Sequence, residues 1–317
     1  MGNSEPVRAM RNRGLLGIET LSAEEIQCIL DRAKFYQPLE GRATEKLETL
    51  RGKTIIQLFF EASTRTRISF EMAAKRLGAD TVSISGQGTS LDKGESLLDT
   101  LNTLAAMRPE AIVMRHYASG APHFLARFLE TPIINAGDGT HEHPTQALLD
   151  ALTILDHKKK LEGLKVAIIG DIGHSRVARS NVHLLTKFGA SVVLCGPPSM
   201  LPKAFENYSP QVRLTHRMEE AIQGVDVIMM LRVQLERQGR LLFTSDNEYF
   251  RFYGLRLDHL QAACPNAIVM HPGPINRGRE LSSEVADFPR SVILNQVENG
   301  IAVRMAVLDL LLGPSLQ

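Results

Sequence analysis

The sequence predicts an α/β protein of two domains, each a mostly parallel sheet flanked by helices. Short β-branched runs alternate with longer stretches of helical periodicity along the chain. The strand runs are apolar nearly throughout, as strands covered on both faces by helices must be. A chain of 317 residues is also long for one hydrophobic core, which favours two domains of roughly 150 residues each.

Taken in order, a helix is expected over Ala23–Tyr36 and a strand over Thr54–Phe60, where Ile55-Ile56-Gln57-Leu58-Phe59-Phe60 is almost continuously apolar. Phe70, Ala73, Ala74 and Leu77 then fall at i, i+3, i+4 and i+7, placing a helix over Arg65–Leu77 that Gly78 stops. Strands over Thr81–Ser85, Ala111–Met114 and Pro132–Asn135 follow. The helix Thr145–Leu155 and the solvated stretch His157–Gly163, with its run of lysines, suit a junction between halves. Beyond it, strands are expected over Lys165–Gly170, Ser191–Cys195, Val225–Leu231, Ala267–His271 and Ser291–Leu294, and helices over Arg176–Phe188 and Gln296–Leu312. Ser83–Gly94 and Gln238–Gly254 read as long loops, which in compact domains are often functional.

Composition removes several classes of function. With 44% apolar and 22% charged residues and a formal net charge of +1, the chain has no bulk positive field with which to bind nucleic acid. Without tryptophan and with few tyrosines, little is left for base stacking. No stretch reaches the ~18 uninterrupted apolar residues of a membrane span, and MGNSEPVRAMRNRG has no apolar segment of a secretory signal. Arg8, Arg11 and Arg13 read as a solvated terminus. A soluble, cytoplasmic protein without nucleic-acid or membrane partners is expected. Cys28, Cys195 and Cys264 form no CxxC or Cys/His set and read as buried reduced thiols.

The segment FFEASTRTRISFE (59–71) carries the strongest chemical signal. Ser63 is a natural N-cap, and the first turn that follows leaves unpaired N–H groups at the positive end of the helix dipole. Hydroxyls of Ser63, Thr64 and Thr66 add donors, and Arg65 adds a planar fork suited to phosphate oxygens. An ordinary cap with surface arginines remains adequate for Arg67, which stands four residues before Glu71 as a helical ion pair. Ser63-Thr64-Arg65-Thr66 together read as a phosphate site.

Three further places admit two readings. His143-Pro144-Thr145-Gln146 opens a helix, with Pro144 in the first turn where it loses no hydrogen bond. His141 and Glu142 beside His143 suggest a metal, but the H-x-H spacing brings no further Cys or Asp partner, and no metal is expected. Arg115 follows its strand at the carboxyl end, where ligands bind in open α/β sheets, and alone reads equally as a salt-bridge partner. IIGDIGHSR (168–176) evokes a dinucleotide fold, yet it lacks the GxGxxG spacing, and the next strand ends in Cys195-Gly196 rather than an acid for a ribose. No cofactor is expected.

FFEASTRTRISFE resembles the carbamoyl-phosphate motif of the aspartate/ornithine carbamoyltransferase family. The resemblance continues through TSLDKGESLLDT (89–100), AIVMRH (111–116), NAGDGTHEHPTQALLD (135–150), VAIIGD (166–171), RVQLER (232–237) and MHPGPINRG (270–278), in family order over almost the whole chain. It implies a carbamoyltransferase-like fold in which residues 1–146 plus 297–317 bind carbamoyl phosphate and residues 147–296 bind the acceptor amino acid. Ser63, Thr64, Arg65 and Thr66 would then hold phosphate, while Thr66, Arg115 and His143 donate to the carbonyl oxygen and Gln146 binds the carbamoyl amide. Ser90 and Lys93 match residues that reach into a neighbouring subunit's site, implying a homotrimer with shared active sites. The spacing of this serine and lysine is shorter than in some members, and Ser90 rather than Thr89 is taken as the match. Arg176 would bind one carboxylate of the acceptor, and Arg232 with Gln234 the other. Backbone carbonyls of Pro272 and Gly273 would hold the carbamoyl nitrogen, although Gly273 stands where some members have leucine. Glu61 and Arg237 match residues that bridge the two domains on closure; as exposed ion pairs they would contribute little.

Two arginines suit a dicarboxylate acceptor. Ornithine enzymes typically carry His-Cys-Leu-Pro where this chain has His271-Pro272-Gly273-Pro274. The expected reaction is therefore carbamoyl transfer to the α-amine of L-aspartate, an early step of pyrimidine biosynthesis, with carbamoyl phosphate binding first. Transfer to ornithine or another amino acid is one alternative. A catalytically silent scaffold or regulator is another, opposed by the completeness of the residue set. HPGPINRG further resembles members that associate with dihydroorotase or an inactive relative of it, and feedback control would require a separate regulatory chain.

Overall fold

Two wholly parallel sheets, each with a point where strand order reverses, organise the computed structural model, which describes residues 14–38, 46–85, 94–234 and 245–314. The chain forms two compact units, Met1–Leu148 with Asn299–Gln317, and Leu149–Glu298.

In the first unit the order is α1 (Ala23–Tyr36), β1 (Thr54–Phe59), α2 (Thr64–Arg76), β2 (Asp80–Ser85), α3 (Leu97–Ala106), β3 (Ala111–His116), α4 (Ala121–Leu125), β4 (Ile133–Asp138) and the start of α5 (Pro144–Lys158). The strands lie in the order β2-β1-β3-β4. The chain thus builds from β1 outward to β2, then returns to the other side of β1 for β3 and β4. Ile56, Leu58, Ile112, Met114 and Ile133 from the strands pack with Leu101, Leu104 and Leu125 from the helices. Local rules explain the ends. Ser22 and Glu25 form a reciprocal capping box on α1. Gly78 takes φ +85° just past α2, where a Cβ would meet the Leu47 carbonyl oxygen at 2.7 Å.

The second unit contains the rest of α5, β5 (Lys165–Ile169), α6 (Arg176–Lys187), β6 (Ser191–Cys195), β7 (Val212–Thr215), α7 (Met218–Ile222), β8 (Val227–Met230), α8 (Asp246–Tyr253), β9 (Ile268–Met270), α9 (Ser283–Ala286) and the start of α10 (Ile293–Leu312), which ends in the first unit. Its strand order is β7-β6-β5-β8-β9, again reversing after the outward run from β5. Every strand pair is parallel, and the four central residues Val166–Ile169 of β5 are completely buried, which accounts for the continuous apolar runs.

Several expectations need correction. Ser291–Leu294 is not a strand: Ser291 makes a single bridge to Val269, and Ile293 already opens α10. Ser-Val-Ile-Leu has strand propensity, but Leu294 is 82% exposed on the helix surface. The edge strand β7 was not anticipated, because Val212-Arg213-Leu214-Thr215 is short and only alternately apolar. Gln238–Gly254 is not one long loop, since α8 occupies Asp246–Tyr253 and Ser245 Oγ caps it by accepting from Glu248 N–H. Ser83–Ser85 complete β2, and 86–93 lie outside the described residues. Glu71 pairs with Lys75 at 2.6 Å rather than with Arg67. Cys195 is buried, whereas Cys28 and Cys264 are half-buried. Among the described residues, no helix is long and apolar enough to cross a membrane.

Candidate active site

In open parallel sheets, ligands bind beyond the carboxyl ends of strands where the strand order reverses. In the first unit that point lies between β1 and β3. Phe59 at the end of β1 is opposite Arg115 at the end of β3, and Phe60 N–H donates to the Arg115 carbonyl at 2.9 Å. The turn that opens α2 and the side chain of Arg115 therefore share one edge of the sheet. Ser63 holds the N-cap position in extended backbone, but its hydroxyl accepts none of the first-turn N–H groups. Thr66 is buried, while Thr64 and Arg65 are exposed.

Arg115 is only 8% exposed. Its Nη2 donates to Glu61 Oε1 at 2.7 Å and its Nη1 to the Ala136 carbonyl at 3.3 Å. Glu61, expected from the sequence as a residue of domain closure, here pairs with Arg115 within its own unit. Next to it, His116 accepts from Ala118 N–H through Nδ1 and stacks on Tyr117, and burial lowers its pKa.

His143 stands just before α5 and Gln146 in its first turn, and the His143 carbonyl accepts from Gln146 and Ala147 N–H. Both side chains are buried. Asp138 organises the turn joining β4 to α5. Its carboxylate accepts from Gly120 N–H, Glu142 N–H and Asn135 Nδ2 and lies 3.0 Å from His141 Nδ1. Burial pushes the Asp138 carboxyl up, but the donors from His141, Asn135 and Gly120 outweigh it and the pKa is lowered; Asp138 in turn raises that of His141. The sequence reading that no Asp stands by these histidines is thus corrected. His123, Asp138 and His141, and also Glu19, His141 and Glu142, bring ligand atoms within 4.8 Å of one another. Asp138 and Glu142 are already engaged, however, with Glu142 accepting from Ile18 and Glu19 N–H at 2.9 and 3.0 Å.

Arg304 was not singled out in the sequence and has no local motif. From α10 its Nη1 donates to Ser69 Oγ and the Gly300 carbonyl, its Nη2 lies 3.5 Å from Thr145 Oγ1, and the guanidinium covers the Phe70 ring at 5.0 Å. It thereby ties the second turn of α2 to the first turn of α5.

In the second unit the reversal falls between β5 and β8. Arg176 opens α6 after β5 and is buried. Arg232 and Gln234 follow β8 and are joined by an Arg232 Nη2–Gln234 Oε1 bond of 3.2 Å. Asp171 spans the two turns, accepting from His174 Nδ1 at 2.7 Å and from Gln234 N–H at 3.4 Å. The β8 turn is held from its other side by buried Glu280, which accepts from Val233 N–H and from Asn276. Burial raises the Glu280 carboxyl's pKa. Gly170 permits the close approach of the two turns, since a Cβ there would stand 2.9 Å from the Leu231 carbonyl oxygen. Pro272 and Gly273 lie in the half-buried turn after β9. Ser90, Lys93 and Arg237 lie outside the described residues.

Comparison with known proteins adds independent findings. Residues 13–156 match the family model described as the carbamoyl-P binding domain of aspartate/ornithine carbamoyltransferase, and residues 162–311 match its Asp/Orn binding domain. The chain is 72% identical over 300 residues to an aspartate carbamoyltransferase catalytic subunit from Solibacter usitatus, covering 95% of this chain and 99% of that one. It is 58% identical to the corresponding subunit of Syntrophotalea carbinolica, with 96% and 97% covered. Among solved structures, aspartate transcarbamoylase from Trypanosoma cruzi in complex with N-(phosphonacetyl)-L-aspartic acid superposes with a TM-score of 0.86 at 32% identity, covering 95% and 96%. Ornithine carbamoyltransferase from Pyrococcus furiosus superposes with 0.85, also at 32% identity, covering 95% and 97%. Backbone similarity alone therefore does not choose the acceptor.

Proposed function

The chain belongs to the aspartate/ornithine carbamoyltransferase family, and from this we infer that it transfers the carbamoyl group of carbamoyl phosphate to the α-amine of L-aspartate, giving N-carbamoyl-L-aspartate and phosphate. The observation that carries the reading is the chemistry at the two strand-order reversals. One has a helix-opening turn rich in hydroxyls beside a buried arginine, and the other has buried Arg176 in the connection after one strand and the Arg232–Gln234 turn after the adjacent strand. The first suits a phosphate and the second a dicarboxylate. The identity of 72% to a relative named for aspartate supports the same choice.

In this proposal Ser63, Thr64, Arg65 and Thr66 hold the phosphate on the first-turn N–H groups of α2. Arg115 leaves Glu61 for the incoming anion. Thr66, Arg115 and His143 donate to the carbonyl oxygen, and Gln146 takes the carbamoyl amide. Arg176 binds one carboxylate of aspartate, Arg232 and Gln234 the other, and the carbonyls of Pro272 and Gly273 accept from the carbamoyl nitrogen. The neutral α-amine attacks the carbonyl carbon and negative charge builds on the oxygen that the three donors face; as the tetrahedral intermediate collapses, the C–O bond to phosphate breaks and the departing phosphate takes the proton lost by the amine. Rate enhancement then comes from positioning and from oxyanion stabilisation, without a covalent enzyme intermediate. Carbamoyl phosphate binds first, an order that product-inhibition patterns would test.

The proposal extends to a homotrimer in which Ser90 and Lys93 of one subunit complete a neighbour's site. It also places the chain in the cytoplasm, in pyrimidine biosynthesis, with dihydroorotase, a dihydroorotase-like chain or a regulatory chain as associates. The test of the chemistry is product formation by the purified chain with L-aspartate and with L-ornithine as acceptor. Carbamoyl-aspartate without citrulline is expected; turnover of ornithine instead would refute the acceptor assignment.

A further inference from the structure

We propose that Asp150 and Gln296 are positioning residues for the turn His271–Pro274 and thereby set the enzyme's preference for a carbamoyl nitrogen over other groups of similar size. The inference rests on the reading that the carbonyls of Pro272 and Gly273 accept from that nitrogen. Three completely or almost completely buried polar side chains and one backbone N–H form a continuous relay behind the turn. His271 N–H donates to Gln296 Oε1 at 2.9 Å, and Gln296 Nε2 donates to Asp150 Oδ1 at 2.7 Å. Asp150 Oδ2 accepts from Asn181 Nδ2 at 2.8 Å, and the same nitrogen donates to the Val177 carbonyl. Asp150, Asn181, His271 and Gln296 are at most 2% exposed.

The polarity of the relay fixes its geometry. A carboxylate only accepts, so Asp150 allows the Gln296 amide one orientation, with Oε1 toward His271 N–H. The turn is then locked from inside: Gly273 N–H donates to His271 Nδ1 at 2.8 Å. Because the peptide is planar and trans, an N–H directed at the imidazole sends the Pro272 carbonyl of that peptide the opposite way, off the ring. The relay therefore determines where an acceptor stands, and acceptors distinguish an amide nitrogen from a methyl group. Asn181 lies on α6, the helix that Arg176 opens, so one carboxylate holds both the turn and this helix.

The test uses the full-length chain and two ligands that share a phosphate: carbamoyl phosphate as substrate, and acetyl phosphate, with a methyl in place of the amide nitrogen, as competitor. In Gln296→Glu two acceptors face each other, and in Asp150→Asn the amide orientation is no longer unique. Each should lower the ratio of acetyl phosphate Ki to carbamoyl phosphate KM by about tenfold, the effect of roughly one hydrogen bond. The double variant D150N/Q296E restores donor to acceptor along the whole relay and should return the ratio to within about threefold of wild type. Gln296→Met, which removes the acceptor without adding charge, serves if the single glutamate variant does not fold. A fall in melting temperature or kcat with an unchanged ratio, in variants of a wild type that makes carbamoyl-aspartate, overturns this inference alone. A wild type that makes none overturns the functional reading and this inference with it.

Discussion

Arg115→Lys should lower kcat/KM for carbamoyl phosphate by roughly 10- to 150-fold while leaving the fold intact. The guanidinium is buried at 8% exposure and already uses two separate nitrogens, Nη2 toward Glu61 at 2.7 Å and Nη1 toward the Ala136 carbonyl at 3.3 Å. Lysine keeps the charge but offers one nitrogen, which does not span two positions in a planar fork. On the proposed ligand the loss is one hydrogen bond to a charged group, about 1.5–3 kcal/mol, and each 1.4 kcal/mol is about tenfold. The Ala136 carbonyl also loses its arginine donor, at about 1 kcal/mol, or about 2–4 °C in melting temperature for a chain unit of this size. Initial rates at saturating aspartate, with calorimetry on the same samples, separate the two effects. A variant within threefold of wild type would show that the fork is not used, and that Arg115 acts as a point charge or not at all.

Glu142→Ala should lower the melting temperature by about 5–15 °C, because buried Ile18 N–H loses its carboxylate at a cost of about 2–4 kcal/mol. Glu142→Gln, which keeps one acceptor, should cost less than half of that, and equal effects would argue against the hydrogen-bond account. Arg304→Met should destabilise by about 1–3 kcal/mol, since Ser69 Oγ and the Gly300 carbonyl lose its charged donor; thermal denaturation reads this directly. The His141–Asp138 pair should impose a pH dependence on stability. His141 is raised from 6.5 mainly by its bond to Asp138, so its contribution is complete below that value and is lost as pH rises through the raised one. Asp138 is lowered from 3.8, so its contribution is present above that value and is lost as pH falls through the lowered one. His141→Gln should flatten the decline of melting temperature above pH 6.5, and an unchanged slope would remove His141 from the account.

The features legible in the sequence were those written locally. A continuous apolar run followed by polar residues marks the carboxyl end of a buried parallel strand, and that pattern locates Ser63–Thr66, Arg115 and Arg232 along the chain, whereas Arg176 was read from the family resemblance. Ser291–Leu294 misled for the same reason, since a short β-branched run opens a helix as readily as it extends a strand. What could not be read were contacts between distant segments. Arg304 lies 235 residues from Ser69, Gln296 lies 146 from Asp150, and Glu142 lies 124 from Ile18. Within its own stretch each looks like an ordinary polar residue of a helix or turn. Asp138 was overlooked beside His141 for a subtler reason: the two stand in a tight turn between β4 and α5, where metal-ligand spacing rules for helices and fingers do not apply.

The central claim is that a phosphate site and a dicarboxylate site serve one reaction. N-(phosphonacetyl)-L-aspartate, the compound in the T. cruzi relative, joins both anionic parts in a single molecule, and phosphonoacetate offers the first part alone. Isothermal titration of the wild-type chain with each is the most direct test. The joined molecule is expected to bind at least ~100-fold more tightly, as a mimic of two substrates meeting at the transition state does. Equal affinities would contradict the claim, because they would mean that the arginines of the second unit take no part in binding what the first unit holds.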